Sequence, residues 1–423
     1  MIRVGIIGVG TVGSNVVKIL QENEDIITAR SGKKIIPIMG IVKDSKKKRD
    51  ISIPLSTNVD DVLENPDVDV VLELMGGVDE AYEIVTRALK NGKAVVTANK
   101  ALLAYHRYEL KDLAGDTPIG YEASVAGGIP IIKALREGLS ANHIDAIKGI
   151  MNGTCNFILT KMMNEKAAFA DVLKEAQALG YAEADPTFDV GGFDAAHKLL
   201  ILASIAYGID VKPEEILIEG IENISAEDIC FAKEFGYNIK LLTIAKKSGE
   251  KVELRVHPAL VPMSQMIAKV DGVMNGISVI GDRVGETMYY GPGAGGSATA
   301  SAVVSDLIDI ARHAQNSPML GFIKPLEKSG LSLMHKDEIC TQYYIRVSVT
   351  DKIGVLSQIS QILGKHNISI SSFLQKQDIQ KENCAVLLFS THACKEKEIQ
   401  NALKELGALE FVETKPAMIR IEA

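Results

Sequence analysis

The sequence has no tryptophan, and its 11 tyrosines and 10 phenylalanines are only 5% of 423 residues. A surface that stacks nucleobases on aromatic rings is therefore disfavoured. Five cysteines, Cys155, Cys230, Cys340, Cys384 and Cys394, show no CxxC pair and no repeated spacing. That argues against a disulfide framework or zinc cage and for a reducing, cytoplasmic setting. No apolar run reaches the ~18–20 residues needed to span a bilayer. A strand pattern begins at Ile2, without a charged-then-apolar signal segment. Positive charge is short too: 46 Lys and Arg face 54 Asp and Glu, a net charge of −8. Broad binding to nucleic acid needs a basic face and is not expected. What is plentiful is core material. With 47% hydrophobic and 24% charged residues, the chain can build two or three domains of ~100–200 residues each.

The first stretch alternates strand and helix. Ile2–Ile7, Ile35–Val42, Val68–Leu74, Ala94–Ala98 and Ile119–Ser124 are short, rich in Val and Ile, and apolar on both faces, as strands between two helical layers are. Amphipathic stretches near Val12–Glu22, Asp60–Glu64, Ala81–Asn91 and Ala101–Ala114 lie between them. The pattern predicts an α/β domain with a Rossmann-type parallel sheet over residues 1–126. Residues 127–313 read as an α+β domain. A helix follows Gly127-Gly128, with Pro130 in its first turn, and runs to about Leu139. Other helices fit Phe169–Leu179, Ala195–Tyr207 and Pro213–Ile216, and strands fit Ala146–Met151, Lys240–Lys246 and Val252–Leu260. The loop GPGAGG, Gly291–Gly296, precedes a small-residue helix at about 297–313 that is expected to return to the first domain. Residues 314–342 read as a linker. Then come strand Tyr343–Val349, helix Val355–Lys365, strands Ile368–Gln375 and Ala385–Ser390, helix Lys395–Leu406 and strand Leu409–Val412. This βαββαβ order over 343–423 is the ferredoxin-like plan.

Gly8-Val9-Gly10-Thr11-Val12-Gly13 is a GxGxxG string placed between a strand and an amphipathic helix. Gly8 permits the tight turn, Gly10 lets backbone approach a pyrophosphate, and Gly13 lets helix and strand close up. The second strand is followed by Lys43, with Asp44 and then Lys46, Lys47, Lys48 and Arg49. A cation here favours the 2′-phosphate of NADP(H), while an inward Asp44 would also admit NAD(H). Lys46–Lys48 read as a solvated loop.

Ligands in such sheets sit beyond the carboxyl ends of the strands, where Lys100 follows the fourth. By spacing alone, Lys100 is as well read as a surface lysine as a catalytic one. In the middle domain Asp194 and Lys198 are four residues apart, on one helix face, before an apolar run. That spacing fits a surface ion pair, or a lysine in a dry pocket, where burial lowers its pKa and suits it to proton donation. His197 reads as structural or exposed.

Taken in order, GVGTVGS, VVTANKALLA, YEASVAGGIPII, IMNGTCNFIL, GYAEADPTFDVGGFDAAHKL and YYGPGAGG resemble homoserine dehydrogenase of the monofunctional form. DKIGVLSQISQILGKHNISISSFLQ resembles an ACT domain, a small-molecule-sensing module. The resemblance covers nearly the whole chain and implies NAD(P)H-dependent reduction of L-aspartate 4-semialdehyde to L-homoserine, in threonine and methionine biosynthesis. It implies Lys198 as proton donor, with Lys100 beside the carbonyl and cofactor. Glu183, Asp194, Asp189, Tyr181, Gly153 and Thr154 would border the substrate. Gly8, Gly10, Thr11, Val12, Gly13, Lys43, Lys100, Gly180 and Gly295 would border the cofactor. A monovalent cation, sodium in the family's usual pattern, would lie at Glu122, Val125, Gly127 and Ile129, mostly on main-chain oxygens.

In the ACT domain the resemblance implies an effector pocket at Asp351, Gly354, Val355, Leu356, Asn367 and Ile368, with feedback inhibition by L-threonine and pairing of copies in a homodimer or higher oligomer. Lys43 stands where arginine is familiar in the family. Two other readings stand beside this one. A different ACT-bearing amino-acid-pathway dehydrogenase would need a His/Glu acid–base pair and another segment order. A non-catalytic NADP and amino-acid sensor would have damaged acid–base residues.

Overall fold

A computed structural model of the chain describes residues 1–312, 318–324, 330–377 and 383–422. They divide into two compact units: Met1–Gly153 with Phe193–Glu215 and Val273–Leu331, and Thr154–Gly192 with Ile216–Gly272 and Ser332–Ala423.

The first unit is built on a parallel sheet of β1 (Ile2–Ile7), β2 (Ile35–Ile41), β3 (Leu55–Ser56), β4 (Val70–Glu73), β5 (Ala94–Thr97) and β6 (Ile119–Gly120), in the order β3-β2-β1-β4-β5-β6. The order reverses beside β1, which pairs with β2 on one side and β4 on the other. That reversal is the switch point at which such sheets take ligands. Both faces are covered, so Val4, Ile6, Leu72 and Val96 are buried on one and Val71 and Val95 on the other. Val16, Val17 and Leu20 of helix α1 (Thr11–Glu22) join the first face. Helix α2 (Lys100–Ala114) follows β5, and helix α3 (Phe193–Tyr207) is buried along nearly its whole length. Helix α4 (Gly296–Ala311) sets Ala300, Val303, Val304 and Leu307 in the same core as α1. Residue 313, which the sequence gives to this helix, lies outside the described residues. Strands Ile144–Ile150, Met274–Gly281 and Gly285–Pro292 make a second, antiparallel sheet in this unit.

Two expectations here need correction. The fifth predicted strand stops at Gly120 rather than Ser124, and Glu122–Ser124 is a 3₁₀ turn. Asp306 is the cause. Its carboxylate accepts the Glu122 amide at 2.8 Å, and it crowds Gly120 so closely that a Cβ there would lie 2.6 Å from the Asp306 Cβ. The helix after Pro130 is α-helical only over Ile131–Lys133 and widens into a π turn over Ala134–Gly138. Pattern reading also passes over helices Glu24–Ser31, Gly153–Glu165 and Ala226–Glu234 and the hairpin of 274–292. Gly153–Glu165 opens on Gly-Thr-Cys-Asn, all weak helix formers, so its start carries no propensity signal.

In the second unit, strands Tyr237–Ser248 and Lys251–Pro262 form a long hairpin, to which Ser332–Leu333 adds in parallel at Lys251–Val252. Residues 314–317 and 325–329 of the expected linker lie outside the described residues. The ferredoxin-like module has strands Cys340–Thr350, Ile370–Gln377 and Cys384–Thr391 and helices Val355–Lys365 and Glu396–Leu406. Its core includes Tyr343, Ile345, Val347, Ile359, Leu363, Phe389, Ile399 and Leu406. The fourth strand is Ala417–Ile421, not Leu409–Val412. Turn bonds from Leu409 to Leu406 and from Val412 to Leu409 hold the predicted segment in a coil with a single bridge to Val349. Ala417–Ile421 pairs antiparallel with Cys340–Thr350 and, on its other edge, parallel with Lys251–Pro262 through Ala259↔Arg420 and Leu260↔Ile421. No described helix is long and apolar enough to cross a membrane.

Close packing at the first turn of α1 leaves no room for a methyl group, since a Cβ on Gly13 would sit 2.6 Å from the Gly8 carbonyl oxygen. Gly13→Ala is expected to cost about 1–3 kcal/mol in urea unfolding; an unchanged midpoint would show that the loop yields freely.

Candidate active site

Gly8 adopts a left-handed φ of 101°, and a Cβ there would meet the Leu74 carbonyl oxygen at 2.6 Å. Gly10 faces open space, with nothing within 4 Å of the position a Cβ would take. No side chain caps α1, and no acidic residue stands in its first turn. Its amide end is thus suited to an anion. Gly295, with φ 117°, caps α4. A Cβ on Gly296 would lie 2.8 Å from Thr11 Cγ2, and Ser297 donates to the Asn15 side chain at 2.9 Å. The two helix starts therefore lie side by side, and this cradle fits a dinucleotide's phosphates. Lys43 is exposed just past β2. Arg49, from the same loop, donates through Nε to the Val9 carbonyl at 2.9 Å. It is thereby fixed against the glycine loop, which the run of lysines around it hides in the sequence.

The carboxyl ends of β4 and β5 are tied together. Thr97 donates to Glu73 at 2.6 Å, and Asn99 caps α2 by accepting from Leu102 while donating to the Gly77 carbonyl at 2.7 Å. This sets Lys100 as the first residue of α2, where the helix dipole opposes a cation. Asp194 compensates, with Oδ1 2.5 Å from Lys100 Nζ. Its Oδ2 accepts from Lys198 at 2.8 Å and from the Asn152 amide at 2.8 Å. Lys198 also donates to the Met151 carbonyl at 2.7 Å. Asp194 and Lys198 are buried, and Lys100 is part-exposed. Burial alone would push the Asp194 carboxyl up, but the ammonium groups of Lys198 and Lys100 outweigh it and hold the group well below the usual carboxylate range. His197 is buried with its ring edge-on to Tyr105, and burial lowers its pKa.

The segment Thr154–Gly192 belongs to the other unit. There Thr154 donates to the Tyr181 carbonyl at 2.6 Å, and Cys155 Sγ donates to the Asp189 carbonyl at 3.1 Å. The Tyr181 ring meets Phe157 edge-on. Thr154, Tyr181 and Asp189 are thus brought to one helix start. Glu183 is exposed, its carbonyl accepting from Gln177. Gly180, at φ 76°, ends helix Phe169–Ala178.

Family models for "Homoserine dehydrogenase, NAD binding domain", "Homoserine dehydrogenase" and "ACT domain" match residues 8–118, 130–308 and 343–411. A homoserine dehydrogenase of Helicobacter pylori is 56% identical, over 100% of this chain and 99% of that protein. The solved homoserine dehydrogenase of Thiobacillus denitrificans has 45% identity and a TM-score of 0.93, over 100% of this chain and 98% of that one. A hyperthermophilic archaeal homoserine dehydrogenase, solved in complex with NADPH, has 30% identity and a TM-score of 0.62, over 73% of this chain and 97% of that one. The chain belongs to the homoserine dehydrogenase family. It is accordingly an oxidoreductase that uses NAD(P)(H) on a small-molecule substrate and carries an ACT domain.

In this homoserine dehydrogenase fold the candidate cation residues surround a tight loop. Ala126 and Gly127 both take positive φ, 53° and 48°. Val125, Gly127 and Ile129 are buried. Both Glu122 carboxylate oxygens accept backbone amides, of Ile132 and Lys133, at 2.9 Å. Burial and the nearby Asp306 charge push Glu122 up to about 7. Main-chain oxygens beside this carboxyl would give an oxygen-only donor set, the kind a hard cation takes. In the ACT domain Asp351, Gly354, Leu356 and Asn367 are exposed and Val355 and Ile368 buried. Gly354 (φ 91°) and Asn367 (φ 60°) are both left-handed, at the two ends of helix Val355–Lys365. Sequence reading missed Asn152 and Met151, although they directly precede Gly153, and missed Asp306, which no local pattern links to Glu122.

Because the folded Asp194 pKa is depressed, its stabilisation is complete above the unfolded value of about 4 and is lost as pH falls below it. Asp194→Asn is expected to cost about 3 kcal/mol at pH 7, with the gap to the parent protein narrowing in acid. A gap independent of pH down to 2 would show that Asp194 is not held as a carboxylate.

Proposed function

We propose that the chain reduces L-aspartate 4-semialdehyde to L-homoserine, supplying threonine and methionine biosynthesis, with NADP(H) preferred over NAD(H). The observation that carries this reading is the buried carboxylate of Asp194 held between Lys100 and Lys198. When bound, the dinucleotide supplies the hydride. Lys198 stabilises the negative charge that develops on the aldehyde oxygen and then protonates it. Lys100 orients the carbonyl from the other side of Asp194. The residues assigned to the substrate are Asp194 and Gly153 of the first unit and Glu183, Asp189, Tyr181 and Thr154 of the second, the carboxylates suiting its ammonium group. Gly8, Gly10, Thr11, Val12, Gly13, Gly180 and Gly295 seat the cofactor, with Lys43 and Arg49 offering charge to a 2′-phosphate. The archaeal relative solved with NADPH supports the same preference. Sodium would be held by Glu122, Val125, Gly127 and Ile129, fixing the chain that runs from β6 into the Ile131 helix.

The ACT domain takes L-threonine at Asp351, Gly354–Leu356 and Asn367–Ile368 and lowers activity, in a homodimer or larger homo-oligomer. Cutting the chain near residue 340 is a poor test of this, because it also removes the strand that pairs with Lys251–Pro262.

Absorbance of NADPH followed with aspartate semialdehyde tests the reaction. Lys198→Ala is expected to lower kcat by about 10²–10⁴-fold while NADPH binding, read by fluorescence, changes little; near-normal turnover would remove Lys198 as donor. Asp351→Ala is expected to raise the half-inhibiting threonine concentration about tenfold, the ~1.4 kcal/mol of one charge-assisted bond; an unaltered inhibition curve would place the effector elsewhere.

A further inference from the structure

Arg420, on the final strand, takes no part in the chemistry above, yet it is among the most deeply buried side chains, at 1% exposure. Its guanidinium makes two forks. Nη1 and Nη2 donate to the Glu219 carboxylate at 2.7 and 2.9 Å, and Nε and Nη2 donate to the Glu396 carboxylate at 2.9 and 2.6 Å. Glu396 is the first residue of the second ACT helix and also accepts from the Tyr343 hydroxyl at 2.9 Å.

Glu219 leads in another direction. Its amide donates to the Val256 carbonyl at 2.8 Å, and two residues on, the Ile221 amide donates to the Val190 carbonyl at 2.9 Å. Gly220 is pressed on the same carbonyl, since a Cβ there would lie 2.4 Å from it. The position of a Cβ on Gly192 is 3.3 Å from the Glu219 carbonyl oxygen. An unbroken series of bonds and contacts therefore runs from Glu396 through Arg420 and Glu219 to the backbone flanking Asp189.

We propose that Arg420 is a positioning residue for the substrate segment: through Glu219 it fixes the Val190–Gly192 backbone, and with it Asp189, relative to the ACT helix at Glu396. The proposal rests on reading Asp189 as a substrate contact. Two carboxylates on one buried guanidinium are no bargain for stability, since well-packed apolar side chains often serve as well or better. Their geometric effect is larger, because two planar forks set direction as well as distance.

The test uses full-length Glu219→Gln, which keeps shape and loses charge at a part-exposed side chain, and Arg420→Lys, which keeps charge and loses the forks. Each is expected to raise the KM for aspartate semialdehyde about five- to tenfold, with kcat within twofold and the KM for NADPH unchanged. Asp189→Asn serves as control and should raise the same KM. If it does, and both other variants stay within twofold of the parent, Arg420 does not position the segment. If Asp189→Asn leaves KM unaltered, the substrate role of Asp189 fails first and takes the proposal with it. If Glu219→Gln lowers Tm and moves the KM values of substrate and cofactor alike, the network is only structural and the proposal is overturned.

Discussion

A single buried carboxylate organises the candidate active site. Asp194 sits in the first turn of α3, where the helix dipole favours an anion, and it answers two ammonium groups and one amide at once. Without it, Lys100 at the start of a helix and Lys198 in an apolar helix would both lose the anion that faces them. Burial of Asp194 and Lys198 strengthens their attraction: two unit charges 4 Å apart are worth about 1 kcal/mol in water and several times that near a protein interior. Beside this pair, β4 and β5 are joined through Glu73 and Thr97, next to the capped start of α2.

The nucleotide side works by omission. Gly8, Gly10 and Gly13 clear space for a turn, a ligand and a helix contact, and the amide ends of α1 and α4 lie together with no acid in either first turn. Positive charge at the two helix starts comes from aligned backbone dipoles, with the Arg49 guanidinium added beside Val9. That is consistent with an overall negative chain drawing an anionic cofactor to one place on its surface.

Much of this was legible in the sequence, and the rest was hidden for physical reasons. The parallel sheet could be read because its strands are apolar on both faces, and α1 because a glycine string precedes it. Asp194 and Lys198 could be paired by helical spacing. Lys100 could be set at a strand end but not opposite Asp194, since that pairing joins residues 94 apart in the chain. Helix Gly153–Glu165 and the 274–292 hairpin lacked clean periods. The fourth ferredoxin-like strand was misplaced because two short apolar stretches compete for it, and only Ala417–Ile421 can also satisfy the edge of Lys251–Pro262. Arg49 was seen only as one cation in a run; its bond to Val9 depends on how the loop folds back.

The strand Ala417–Ile421 is held on both edges, and so is an interior strand of one sheet that the ferredoxin-like module shares with the Tyr237–Pro262 hairpin. The family model for the sensing module ends at residue 411, short of it. A module that borrows its closing strand from a shared seam cannot be lifted out as a self-contained cassette. Its melting should be bound up with that of the adjoining hairpin, and any recombination that exchanged one sensor for another would have to carry this seam along or rebuild it.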